Sequence, residues 1–318
     1  MRYRPLGSTG INVSEIGFGA WGIGGDTRGA TSYGPTDDNE SVRALEKAYD
    51  RGINLFDTSG AYGKSEQLIG STFKTRRDKI IIATKVGVAE HLEPQDFSIT
   101  NIVESLQKSL RNLQTDYVDI YQLHSPKIEE INLLEITDTL KELKKQGLIR
   151  VLGISIKSPD DGFVVLRYGS YHSIQVNLSM IDQRAIDNGL VQKADNAGVG
   201  VIARTPLCFG FLTGTIKDLN FSSEDHRSLW PMEQLKLWLK ASELFSELSR
   251  EYNYTSTQLA LRFCIDTQGV STAIPGMLTV GDVLSNTAAL ELESLSTEII
   301  DRIRRVYDDN NQFFIKPN

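Results

Sequence analysis

The sequence predicts an α/β fold, a closed (β/α)8 TIM barrel occupying residues 1–318 as a single domain. Three observations predict it. Short β-branched runs recur about every 30 residues, each followed by a one-sided helical pattern. Eight such runs can be placed, and alternation of this kind demands a mostly parallel sheet with helices outside it. No linker or shift in composition divides the chain.

In chain order, residues 2–13 read as a hairpin turning at Gly7-Ser8-Thr9-Gly10, placed to plug the bottom of the barrel. The strand segments are 14–17, 54–57, 80–84, 118–123, 151–154, 174–177, 201–203 and 271–274. A helix over 39–51 has Asp38 and Asn39 as cap candidates, a stripe of Val42, Leu45, Ala48 and Tyr49, and Gly52 as its stop. The 98–113 segment carries Ile102, Leu106, Leu110 and Leu113 on one face. The 129–146 helix ends at Gly147 after a lysine-rich turn that suits the helix dipole. Helices over 255–267, 280–290 and 296–307 continue the series, and 232–249 adds one outside it. The connection 204–231 is long, and loops of that length in compact domains are usually functional.

Composition excludes several classes. With 40% hydrophobic and 24% charged residues, 26 Gly and 9 Pro, the chain is neither collagen-like nor disordered. A net charge of −7 and a pI near 5.3 leave no overall basic footprint for nucleic acid. Cys208 and Cys264 cannot build a disulfide framework, which points to a reducing compartment. The start has no signal-peptide core and no long apolar run follows, so a soluble cytoplasmic protein with no membrane contact is expected.

Two motifs mislead. Gly17-Phe-Gly19-Ala-Trp21-Gly22 matches G-x-G-x-x-G, with Asp37 following at the ribose position. A dinucleotide fingerprint needs a helix starting inside the motif to hold the pyrophosphate. Gly24-Gly25-Asp26-Thr27-Arg28-Gly29 and Ser32-Tyr33-Gly34-Pro35 cannot supply one. Gly63-Lys64-Ser65 resembles the end of a phosphate loop, but position 58 is Thr rather than Gly, so a turn before a helix is the better reading. The four histidines, His91, His124, His172 and His226, lack close zinc-site spacing, so no metal is expected.

Barrel chemistry sits on loops after the C-terminal ends of strands. Asp57 closes the second strand, with Tyr62 five residues on. Lys85 closes the third and His124 the fourth. Each alone has an ordinary reading as a turn, packing or solvated residue; together on one rim they form a chemical set. A tyrosine with a pKa near 10 is a poor proton donor and acceptor at neutral pH. An ammonium about 4 Å away, at an effective dielectric near 20, is worth up to about 4 kcal/mol in favour of the phenolate. A buried lysine tends to lose its proton unless a carboxylate such as Asp57 holds it. His124 can orient a carbonyl. The set donates a proton and lacks a nucleophile, so a hydride must come from a cofactor.

At this point the sequence resembles the aldo-keto reductase superfamily along nearly its whole length, in a bacterial and potassium-channel β-subunit-like branch. The matching stretches are Arg4-Pro5-Leu6-Gly7, Gly17 to Gly22, Gly52 to Thr58 with Tyr62-Gly63, Ala83-Thr84-Lys85, Asp116 to His124, Gly153-Ile-Ser155, Gln175-Val-Asn177, Pro206-Leu207 through Gly214, and Ile274-Pro-Gly276 through Asn286. The resemblance implies an NAD(P)H-dependent carbonyl reductase with Tyr62 as general acid/base, tuned by Lys85 and Asp57, and His124 positioning the carbonyl. It implies an extended cofactor meeting Gly19, Ala20, Trp21 and Asp57. Ser155 and Gln175 would hold its carboxamide. Pro206, Leu207 and Gly210 would cross the pyrophosphate, and Gly276 and Asn286 would meet the adenosine. Trp21, Tyr62 and His124 would line the substrate pocket.

Departures from the family pattern bear on specificity. Ile156 stands where Asn or Arg often follows the serine, putting one cofactor contact in doubt. Arg204 stands where many members stack an aromatic ring on the nicotinamide; it would favour the reduced cofactor or turn toward a phosphate. The segment 276–282 holds no basic residue, and Asp282 would repel a 2′-phosphate and accept from a ribose hydroxyl. NADH is therefore expected to be accepted at least as well as NADPH. Arg227 is a second candidate for the pyrophosphate, and Lys217 for a lysine missing at Thr215. Phe209, Phe211, Trp230 and Phe313-Phe314 hint at an aromatic-lined pocket. The substrate is a small carbonyl compound or sugar. A regulatory or scaffold subunit of channel-β type and an NAD-dependent sugar dehydrogenase stand as alternatives.

Overall fold

The computed structural model describes residues 1–25, 32–89, 94–310 and 313. Eight parallel strands follow an antiparallel hairpin of β1 (Tyr3–Pro5) and β2 (Asn12–Ser14). They are β3 (Phe18–Gly19), β4 (Leu55–Asp57), β5 (Ile81–Val86), β6 (Val118–His124), β7 (Ile149–Ser155), β8 (Ser173–Asn177), β9 (Gly200–Arg204) and β10 (Val270–Ile274). Each pairs with the next in sequence. The ring is closed by the bridges Ile16 to Ala273 and Gly19 to Gly276, and by hydrogen bonds from Gly17 N to Ala273 O and Gly19 N to Pro275 O.

Around the ring lie α1 (Asp38–Asp50), α2 (Ser65–Phe73), α3 (Ile99–Leu113), α4 (Leu133–Lys145), α5 (Pro159–Tyr168), α6 (Arg184–Asp187), α7 (Leu190–Asn196), α8 (Met232–Glu251), α9 (Ser256–Asp266), α10 (Val280–Thr287) and α11 (Thr297–Asp309). Capping explains several starts. Asp37, Ser98, Asn132 and Ser296 accept from backbone N–H groups of the first turn, and Ser158, Thr255 and Thr279 form complete capping boxes. No helix among the described residues is long and apolar enough to cross a membrane.

Period-two alternation along the strands sorts residues between two environments. Leu55, Ala83, Ile120, Val151, Ile202 and Ile274 meet inside the barrel, where Leu6 and Val13 of the hairpin join them, all buried. The hairpin therefore plugs the ring from below. Its turn sits so close to the barrel that a Cβ on Gly7 would lie 2.3 Å from Gly198 O. Two residues further along the strands, the inward positions become Asp57, Lys85, Gln122, Gly153 and Arg204. The barrel is apolar below and polar at its C-terminal rim.

Three local expectations shift. The first barrel strand lies at 18–19 rather than 14–17, because Ser14 pairs with Tyr3 in the hairpin. The helix expected over 129–146 begins at Leu133, since Ile131 is extended and Asn132 caps the turn; residues 128–130 form a separate 3-10 turn. Helices α5, α6 and α7 had no strong stripe to announce them. In α5, Gly162 interrupts the pattern because Leu190 Cδ1 would lie 2.5 Å from any Cβ there.

Candidate active site

The four proton-active side chains converge at the rim. Asp57 ends β4, and a tight turn, with Tyr62 N bonded to Ser59 O, carries the chain to Tyr62. Gly24, in a 3-10 turn after β3, packs on that turn so closely that a Cβ would stand 2.2 Å from Tyr62 O. This short 3-10 turn occupies the place where a dinucleotide-fingerprint helix would begin; Asp26 to Gly29 lie outside the described residues.

Lys85 is the hub. Its Nζ donates to Asp57 Oδ1 at 2.5 Å and to Thr58 O at 2.8 Å, and lies 3.4 Å from Tyr62 Oη. The lysine side chain is 1% exposed and that of Asp57 5%. Burial by itself pulls the Lys85 pKa down. The Asp57 carboxylate and the Tyr62 oxygen outweigh that effect, and the Lys85 pKa lies above its ordinary value. The group facing Tyr62 is therefore a charged donor. His124 Nε2 lies 3.5 Å from Tyr62 Oη, and its Nδ1 lies 3.3 Å from Ser59 Oγ. Both contacts to Tyr62 are long, as catalytic hydrogen bonds often are before substrate arrives.

Asp57 is held from its other side. Gln175 Nε2 donates to Asp57 Oδ2 at 2.7 Å and Gln122 Nε2 at 3.1 Å. Gln122 was not singled out in the sequence, although it stands two residues before His124 on the same strand face. Gln175 was expected to hold a cofactor amide; here its amide nitrogen supports the carboxylate.

From this cluster a cleft of about 1410 Å³ runs across the rim, larger than the ~300–1,000 Å³ of usual small-ligand sites. Gly19, Ala20, Trp21, Asp57, Tyr62 and His124 line it. So do Gln175, Arg204, Pro206, Leu207, Gly210, Arg227, Gly276, Asp282 and Asn286, with Gly276 bridged directly to Gly19 across the closure of the ring. Ser155 and Lys85 lie behind the wall, with Ser155 Oγ 3.0 Å from Ser125 Oγ. Lys217 is exposed and does not line the cleft.

Several expected ligand groups already have protein partners. Asp282 Oδ2 accepts from Leu278 N, Thr279 N and Thr279 Oγ1 as part of the α10 cap. Asn286 Nδ2 donates to Gly276 O at 3.3 Å. Arg227 forms an ion pair with Asp225 at 2.5 Å and donates to Phe209 O. Residues 205–214 show the opposite character. Thr205, Cys208 and Phe209 adopt φ of 53°, 44° and 54°, and Gly210 one of 91°. Left-handed non-glycine residues in such a run are strained, and strain of this kind clusters at ligand clamps.

An aromatic wall stands over the Trp21 end. The rings of Trp21 and His226 are 4.5 Å apart, those of Tyr33 and His226 5.0 Å, and those of Phe209 and His226 4.9 Å. Leu229 and Trp230 extend this wall, whereas Phe211 and Phe313 are buried in the core and Phe314 lies outside the described residues. Tyr33 and His226 were not anticipated. Their meeting depends on a backbone bond from His226 N to Ser32 O, across a span with no periodic signal.

A cleft of this volume, a strained loop in its wall and a compact cluster of proton-active groups leave room for a dinucleotide without a Rossmann domain. Comparisons with known proteins agree. Aldo-keto reductase YhdN of Bacillus subtilis is 32% identical over 95% of this chain and 93% of its own length. L-galactose dehydrogenase of Arabidopsis thaliana is 32% identical over 93% of this chain and 90% of its own. The structure of aldo-keto reductase AKR11C1 from Bacillus halodurans in its holo form superposes with a TM-score of 0.77 at 30% identity, covering 96% of each chain. The aldo/keto reductase family model matches residues 15–308, so the chain belongs to that family and is an oxidoreductase.

Proposed function

We propose that Tyr62 is the proton donor of a carbonyl reductase whose reacting carbon sits between Tyr62, His124 and Trp21. The observation that carries this reading is the Lys85 ammonium, 3.4 Å from Tyr62 Oη and held by buried Asp57. A nicotinamide cofactor, the kind used by this family, supplies the hydride when bound. Tyr62 gives its phenolic proton to the carbonyl oxygen, and Lys85 stabilises the negative charge left on Oη. His124 Nε2 points at the same place and orients the carbonyl by a hydrogen bond. Asp57 keeps Lys85 charged and aimed, while Gln122 and Gln175 keep Asp57 in register. In the reverse direction Tyr62 takes the proton from an alcohol.

The same reading assigns Gly19, Ala20, Ser155 and Gln175 to the nicotinamide half, and Pro206, Leu207, Gly210 and Arg227 to the pyrophosphate. Gly276, Asp282 and Asn286 fall at the adenosine. For Ser155, Gln175, Arg227 and Asp282 this means exchanging or sharing a present hydrogen bond. The segment Gly276 to Asn286 brings Asp282 to the cleft wall and no basic residue, which disfavours a 2′-phosphate. NADH is thus accepted at least as well as NADPH. An NADH-specific methylglyoxal reductase of Escherichia coli, 30% identical over 92% of this chain, supports that choice. L-galactose dehydrogenase, and a glycerol dehydrogenase from Gluconobacter oxydans with a TM-score of 0.82 at 27% identity, support a small hydroxylated substrate. The expected setting is the cytoplasm.

The test is a panel of aldehydes, ketones and hydroxylated carbonyls assayed with NADH and NADPH. Turnover of several members with kcat/KM for NADH at or above that for NADPH is expected. A hundredfold preference for NADPH refutes the adenosine-end argument, and absence of any turnover refutes the reductase reading.

A further inference from the structure

Arg204 is an anomaly in the charge pattern of the cleft. It ends β9, two residues after inward-facing Ile202, and so projects into the barrel mouth at the level of Asp57 and Lys85. Most other cations near the cleft are neutralised; Lys157, which is exposed and donates to Gln95 Oε1, is a solvated exception. Arg227 pairs with Asp225, Lys127 with Glu130, and Lys85 with Asp57. Arg204 is not. Its Nη2 donates to Ile156 O at 2.9 Å, and its Nε is buried without a hydrogen-bond partner. Among the described residues no carboxylate oxygen lies within ion-pair distance of its guanidinium.

The acids whose field reaches it are committed elsewhere: Asp57 to Lys85, and Asp182 to Arg184. Burial pulls the Arg204 pKa down, but an arginine remains charged at physiological pH. The side chain is also fixed in direction. Donation to the Ile156 carbonyl ties it to the chain just after β7. A permanent, uncompensated positive charge therefore sits at the reacting end.

We infer that Arg204 makes this site discriminate between the redox states of its cofactor, binding the reduced nicotinamide more tightly than the oxidised one. The inference rests on the cofactor reading above. The two forms differ at this end of the molecule by one charge: the oxidised ring is cationic and the reduced ring is neutral. A nearby fixed cation repels the first and tolerates the second; a guanidinium plane can also stack on a flat ring. Against a buried protein wall, like charges repel more strongly than in bulk water. Product release is then assisted in the reductive direction, because hydride loss places a positive charge beside Arg204.

The experiment measures dissociation constants of the full-length protein for NAD+, NADH, NADP+ and NADPH, by calorimetry or tryptophan fluorescence. Wild type is compared with Arg204→Gln, Arg204→Tyr and Arg204→Lys. Comparing within each pair holds the adenosine end constant. The ratio of oxidised to reduced Kd is expected to fall about tenfold or more in Arg204→Gln and Arg204→Tyr, about 1.4 kcal/mol, and to persist in Arg204→Lys. Thermal melting checks folding; removing an unpaired buried charge is expected to leave it intact. An equal change in both forms overturns the inference while leaving the cofactor reading standing. Failure of the wild type to bind any of the four overturns the cofactor reading itself.

Discussion

Disrupting the Asp57–Lys85 pair separates its structural part from its chemical part. The two side chains are 5% and 1% exposed and touch at 2.5 Å. Removing one partner of such a pair leaves an uncompensated buried charge and costs about 3–5 kcal/mol of stability, whereas removing both is often close to neutral. Asp57→Asn and Lys85→Met should each lower the unfolding free energy by about that amount. The double variant should lose about 1–3 kcal/mol less than their sum. Recovery will be incomplete, because Lys85 also donates to Thr58 O and Asp57 accepts from two glutamines. Urea titrations of the four proteins give the cycle, and kcat should stay low in all three variants.

The pH dependence fixes the sign. In the wild type the Lys85 pKa is raised, since Asp57 and Tyr62 outweigh burial. The stabilisation is fully present below the ordinary lysine value and is lost only as pH rises through the folded pKa. In Asp57→Asn burial acts with less opposition. Its stability decrement should therefore shrink as pH climbs toward about 10.4, where an unfolded lysine discharges. Additive stabilities, or a decrement that grows with pH, would refute the reasoning.

Two further outcomes follow from packing. Gly24→Ala places a Cβ 2.2 Å from Tyr62 O; displacing the turn by even ~1 Å should lower kcat by about 10²-fold, with melting changed far less than turnover. Leu6→Ala empties the base of the barrel, where Leu6 is fully buried, and should cost about 2–5 kcal/mol while kcat below the melting range stays at the wild-type level.

What the sequence made legible follows from where information is local. Inward strand positions alternate strictly, so apolar Leu55 and Ala83 followed two residues later by Asp57 and Lys85 mark both the core and the rim. Tyr62 could be read because its turn is short and its strand is clear. The role of Gln122 was hidden because a buried glutamine on a strand announces nothing until its partner Asp57, 65 residues away, is placed beside it. The ring cluster of Trp21, Tyr33 and His226 depends on a contact between two loops 194 residues apart. Asp282 carries a lesson of a different kind. Thr279-Val280-Gly281-Asp282 is a local capping-box pattern, and the cap occupies an oxygen that the cofactor reading treated as available.

The most direct measurement of the central claim is single-turnover reduction of 4-nitrobenzaldehyde by wild type and Tyr62→Phe, with cofactor affinity determined on the same samples. With Oη gone and the cleft otherwise unchanged, the hydride-transfer rate should fall by about 10²–10⁴-fold, the usual contribution of a positioned proton donor, while cofactor affinity stays close to wild type. A variant that binds cofactor normally and reduces the aldehyde at nearly the wild-type rate would show that the proton comes from another group, and the assignment of Tyr62, Lys85, Asp57 and His124 would fall with it.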